Sequence, residues 1–159
     1  MFFGRRIRQN HALEHGTVTI LSGKVAHLRV SARSHSQGFI IFGVVDLEKV
    51  CAAAEEALGR FQAGEAELAI HPNCGTNVAV GLMLTALSWV LALLLPQRRA
   101  QASMAALGVI GAALLARPVG MLAQRHMTTL PDLRGVRILE VRQRSYFGMS
   151  AVEVQTAQE

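Results

Sequence analysis

The spacing of apolar positions divides the chain into amphipathic helix, alternating strand and unbroken apolar run. From about Arg6 to Leu21, Ile7, His11, Glu14, His15 and Val18 recur at spacings that place them on one helix face. Ser22-Gly23 should end that helix. Val25–Arg33 then alternates, with Ala26, Leu28, Val30 and Ala32 on one side and His27, Arg29, Ser31 and Arg33 on the other. That period of two predicts a half-buried strand. Ser34-His35-Ser36-Gln37-Gly38 reads as a turn and Phe39–Phe42 as a second strand, so the two should form a hairpin. Asp46 is suited to cap a helix from Leu47 to about Gln62, with Leu47, Val50, Cys51, Ala54, Leu58 and Phe61 as its apolar stripe. On that stripe Cys51 reads as a core residue. Beyond Gly64, Ala66, Leu68 and Ile70 alternate with Glu67 and Ala69 in an expected third strand that ends at His71. Gly135–Arg144 and Ala151–Thr156, around a turn at Phe147-Gly148, add two more.

Between these segments the pattern changes. Val78–Leu95 is apolar on every face, broken only by Gly81, Thr85, Ser88 and the polar edge of Trp89. At the helical rise it would span roughly 27 Å, close to the ~30 Å hydrocarbon core of a bilayer. Thr76 or Asn77 is a suitable N-cap, and Pro96 stops the far end. Gln97–Gln101 reads as a short polar loop, and Met104–Ala123 as a second span with Arg117 near enough to its end to reach the headgroups. Two spans return the chain to the side it left, so the last strands can join the earlier ones. The expected fold is α+β: a small antiparallel sheet with two helices and an inserted transmembrane helical hairpin. Residues 1–76 and 124–159 would form a domain at the membrane surface, and 77–123 the hairpin.

Composition sharpens this picture. Among the 159 residues, 51% are apolar and 17% charged, an imbalance that two membrane spans account for. The net charge is +5, and all the basic residues except Lys24 and Lys49 are arginines. Aromatic residues make up only 5% of the chain, so the charge suits anionic headgroups better than nucleic acid, which is not expected as a partner. Phe2, Phe3 and Ile7 among Arg5, Arg6 and Arg8 suggest an interfacial anchor. The start of the chain lacks the apolar core of a signal peptide. With a slight arginine bias, this predicts the inner (cytoplasmic) membrane, with the domain on the cytoplasmic side. Two cysteines at unrelated positions make no disulfide framework. Association between copies is left open by the pattern, as is the substrate.

Two short motifs carry candidate chemistry. In His11-Ala12-Leu13-Glu14-His15 the histidines are four apart on a helix, so both imidazoles can reach one metal ion at ~2.0–2.1 Å. Glu14 sits beside them. His71-Pro72-Asn73-Cys74 offers two further ligands, and His11, His15, His71 and Cys74 together make a tetrahedral set of the kind zinc takes. Three of them plus a water, with Glu14 as general base, would make a zinc hydrolase, with a peptidase as the candidate; all four as a closed Zn(His)3Cys set, without catalysis, would be a structural site. A third reading uses the thiol alone. Cys74 precedes a helix N-terminus that favours a thiolate, with His71, His11 or His15 as base and Asn73 or Asn77 to orient it. His27, His35 and His126 stand alone, with His35 the best spare ligand.

The stretch His11–His15 resembles the inverzincin signature, in which two histidines hold zinc and the glutamate is the base. Over most of its length, the chain resembles a family of small bacterial membrane proteins known only as a domain of unknown function. Asn10–His15, His71-Pro72-Asn73-Cys74-Gly75-Thr76-Asn77 and the apolar hairpin carry that likeness. The resemblance implies a membrane location and functional weight on both motifs, and no particular activity.

Overall fold

The computed structural model describes residues 4–146 and 148–158. Helix α1 (Arg5–Lys24) leads to strands β1 (Ser31–His35) and β2 (Gly38–Phe42), helix α2 (Leu47–Gln62) and a 3-10 turn, Ala66–Ala69. Helices α3 (Gly75–Leu93) and α4 (Arg98–Ala123) follow, then a π-helical turn Gln124–Thr128 and strands β3 (Val136–Tyr146) and β4 (Met149–Gln158). The fold is α+β, and the chain divides into two compact units: Met1–His71 with Arg125–Glu159, and Pro72–Gln124.

In the first unit the antiparallel sheet has the order β1-β2-β4-β3. Its two central strands come from opposite sides of the inserted segment and pair from Gly38↔Gln155 to Phe42↔Ala151. Gly38 opens β2 at φ +147, and a Cβ there would stand 1.9 Å from the Val154 carbonyl oxygen, so only glycine fits. Phe39, Ile41, Val152 and Val154 face a core shared with Ala12, Leu13 and Leu21 of α1 and Val50, Ala53, Ala54, Ala57 and Phe61 of α2. Each fully buried Leu, Ile or Phe there contributes about 1.5–3 kcal/mol. The helices meet at Gly16, where a Cβ would lie 2.7 Å from the Phe61 ring and 3.1 Å from Ala57. Asp46 caps α2 by accepting hydrogen bonds from the Glu48 and Lys49 amides at 2.8 and 3.1 Å.

The second unit is a pair of antiparallel helices in close contact. Gly81 and Gly108 admit it: a Cβ on Gly108 would lie 2.2 Å from Ser88 Oγ, and one on Gly81 would be 3.1 Å from Ala116. The side chains around this seam are apolar and largely uncovered, among them Leu82 (66% exposed), Met83 (71%), Leu93 (70%), Leu107 (66%) and Leu114 (72%). Gly75–Leu93 and Arg98–Thr128 are each long and apolar enough to cross a membrane.

Several elements depart from the sequence pattern. The first helix runs past Ser22-Gly23 to Lys24, and the chain turns at His27, which takes φ +55. Leu28, Val30 and Ala32 do pack against the core, as their alternation requires, yet ladder pairing is confined to Ser31–His35. The turn therefore shrinks to Ser36-Gln37. The expected third strand is the 3-10 turn, closed by the Ile70 amide on the Glu67 carbonyl at 3.2 Å. Alternation over only five residues does not decide between these conformations, and the turn buries Ala69 although the alternation put it on the face of the exposed Glu67. Cys51 is half-buried, not core. The alanines of α2 face inward, and its thiol lies beside Glu55 at 3.7 Å, with its pKa pushed up by burial and by that carboxylate. Arg98–Gln101 forms the first turn of α4 in place of a loop, with the Gln101 amide bonded to the Gln97 carbonyl at 3.0 Å. The expected anchor at Phe2 and Phe3 lies outside the described residues, as does Phe147.

Candidate metal centre

Half of helix α1 buries polar side chains. Arg8, Gln9, Asn10, Glu14, His15 and Thr17 are all buried, so each must find partners within the fold. Asn10 donates to the His35 carbonyl at 2.8 Å and accepts from Thr156 Oγ1 at 2.8 Å, tying α1 to the sheet. Gln9 donates to the Asp132 carbonyl at 2.7 Å, and the Leu130 amide donates to the Arg8 carbonyl at 3.0 Å. Arg8 Nη2 donates to the carbonyls of His126 and Thr129 at 3.2 and 3.0 Å. These carbonyls stand where the π-helical turn ends and lacks onward partners, and a cation there is favoured.

The histidines use the same device. His11 Nδ1 lies 3.0 Å from the Thr128 carbonyl oxygen, and His15 Nδ1 lies 2.7 Å from that of Ala69. A carbonyl only accepts, so in each ring Nδ1 carries a proton and donates, and Nε2 faces elsewhere. This is the arrangement in which metal-ligating histidines are held, one nitrogen donating to a carbonyl and the other presented to the ion. His15 is only 3% exposed, and its Nε2 is buried without a hydrogen-bond partner among the described residues. A buried acceptor left so is uncommon and costly.

The rings also converge. The centroids of His11 and His15 are 4.3 Å apart, with ring nitrogens inside 4.8 Å of one another, and those of His15 and His71 are 5.8 Å apart. His71 is half-buried, and burial pushes its pKa down, so at neutral pH its imidazole keeps a lone pair. Glu14, the candidate base, is buried on α1 at 7% exposure. His11, His15, His71 and Glu14 thus belong to the first unit. His35 instead accepts from the Gln37 amide through Nδ1 at 3.3 Å, within its own turn.

Cys74 belongs to the second unit and is itself the N-cap of α3, in place of Thr76 or Asn77. Its Sγ accepts from the Thr76 amide and donates to Thr76 Oγ1, both at 3.4 Å. At a helix N-terminus the free amides favour the thiolate. Asn77 is occupied otherwise: it donates to the Pro72 carbonyl at 2.7 Å and accepts from Gln124 Nε2 at 2.8 Å. Neither Gln124 nor the carbonyls of Ala69 and Thr128 carry a sequence signal. Backbone acceptors are invisible to motif reading, and a lone glutamine at the end of an apolar run looks like ordinary interface polarity. Imidazole and thiolate are each donor types that zinc takes.

No solved structure matches the chain. An uncharacterised protein of Picosynechococcus sp. is 40% identical over 135 residues, an alignment covering 77% of this chain and 65% of that protein. The chain therefore spans about 65% of the length of the curated relative it matches. A family model matches residues 6–141, which include both histidine motifs and both apolar helices. On that match the chain belongs to the family described as Domain of unknown function (DUF6391).

Proposed function

We propose that this protein is a membrane-anchored zinc hydrolase, its metal ligands drawn from His11, His15, His71 and Cys74, three of them with a water in the fourth position, and Glu14 as general base. The observation that carries the metal reading is the buried, unbonded Nε2 of His15, whose Nδ1 is fixed on the Ala69 carbonyl. His11 repeats that tautomer on Thr128, and His71 joins the same ring cluster. Support for Cys74 comes from the chain itself: only Pro72 and Asn73 separate it from His71, so their Cα atoms lie within roughly 11 Å. A zinc ion held here would supply a Lewis acid and lower the pKa of a bound water. The histidines would hold position, and Glu14 would take and return the proton. The expected substrate is a peptide presented near the bilayer surface, since only Pro72–Cys74 separates His71 from an apolar helix.

The membrane anchor is supported by the exposed leucines and methionines of α3 and α4, a surface far larger than water tolerates. The arginine balance favours the inner membrane with the α+β unit on the cytoplasmic side. A structural zinc site is the second reading. The burial of both His15 and Cys74 favours it, as four protein ligands would close the coordination sphere.

Elemental analysis of the purified protein tests the shared premise, with about one zinc per chain expected. Glu14→Gln then divides the readings. The hydrolase retains metal and loses peptide-cleaving activity by about 100-fold or more. A structural site retains metal, fold and cellular role together.

A further inference from the structure

We propose that Asn77 is a positioning residue that fixes Cys74 as a metal ligand, a role that rests on the zinc reading above. Asn77 is 7% exposed and sits one turn into α3, where an apolar residue would otherwise be expected. Its backbone amide donates to the Cys74 carbonyl at 3.0 Å. Its side-chain Nδ2 donates to the Pro72 carbonyl at 2.7 Å. Two carbonyls of one three-residue loop are thus pinned to one residue, and Cys74 is held between them at φ −71 and ψ 142.

The amide is in turn immobilised from α4. Gln124, fully buried, donates from Nε2 to Asn77 Oδ1 at 2.8 Å. Gly120 leaves room for it: a Cβ there would lie 2.2 Å from Asn77 Oδ1 and 2.7 Å from its Cα. The position demands a donor for Pro72 and an acceptor for Gln124 on one short side chain. Asparagine alone meets this: aspartate has no donor, leucine has neither group, and glutamine is a methylene too long for the Gly120 contact. A fully satisfied buried amide of this kind defines one geometry. Helix–helix adhesion would need the Gln124 bond only. The Pro72 bond acts on the loop that carries the thiol. The sign of a metal apart from Asn77 is the buried Nε2 of His15, which has no hydrogen-bond partner among the described residues.

The test uses the full chain in detergent micelles with Cys51→Ser, so that Cys74 is the single thiol, and with cobalt(II) in place of zinc. Asn77→Ala and Asn77→Asp should weaken metal binding about 10–100-fold, the range for residues that orient ligands. The thiolate-to-cobalt absorption should fall while absorption from histidine-bound cobalt persists. In metal-free protein, alkylation of Cys74 should accelerate several-fold in Asn77→Ala. Should Asn77→Ala lose helicity, Asn77→Asp and Gln124→Leu supply the same readouts. Binding within threefold of the parent, with the thiolate absorption intact, overturns the proposal. If the parent and Cys74→Ser give identical cobalt spectra, the ligand role of Cys74 fails. The alkylation rates then decide the clamp alone, and equal rates overturn it.

Discussion

At the scale of single residues, His15 is where sequence and structure bear most directly on function. Its four-residue spacing from His11 was legible because a helix makes i and i+4 neighbours. What could not be read was the carbonyl behind each ring, which selects the tautomer and so decides which nitrogen faces an ion. Two consequences of losing His15 are separable. His15→Ala should lower bound metal from about one ion per chain to a small fraction of that, measured after dialysis. It should also cost about 1–3 kcal/mol in the metal-free protein, because the Ala69 carbonyl loses its donor in a buried place. Denaturant unfolding of both apoproteins measures the second effect, and equal midpoints would remove the supporting role assigned to that bond.

At the scale of elements, legibility followed length and chemistry of the ends. Helix α2 matches its expected bounds, Leu47–Gln62, because Asp46 and Gly64 mark both ends with residues suited to them. The two apolar helices were likewise visible, since their patterns run long enough to exclude alternatives, and the β1–β2 hairpin was visible because turn residues ending at Gly38 separate its two strands. Ala66–Ala69 was misread because so few residues carry no decisive period. Cys51 was misread because the buried face of α2 runs through Val50, Ala53, Ala54, Ala57 and Phe61 and leaves Cys51 beside it. That close packing predicts a strong effect at Gly16, where any side chain would meet Phe61. Gly16→Val should lower stability by about 1–3 kcal/mol through overpacking. An exposed glycine gives the control: Gly23→Ala, with open space around its Cβ, should leave the unfolding midpoint unchanged or raised.

At the scale of the whole molecule, the helical insertion between the two halves of the sheet is the organising fact. If α3 and α4 cross the bilayer as a pair, a reporter at Arg99 should lie on the opposite side from reporters at the N-terminus and after Gln158. Labelling of all three from one side would refute the spanning pair. Topology also sets an order of events during synthesis. Strand β2 is made early, but its central partner β4 emerges about 100 residues later, a delay on the order of 5–20 s at typical elongation rates. Throughout that interval Phe39 and Ile41 lack the strand that pairs beside them, and α3 and α4 are both made within it. If these helices cross a bilayer, the insertion machinery would take them up before the flanking sheet can close. The first half of the sheet waits as an incomplete and adhesive fragment, a natural client for a holding chaperone.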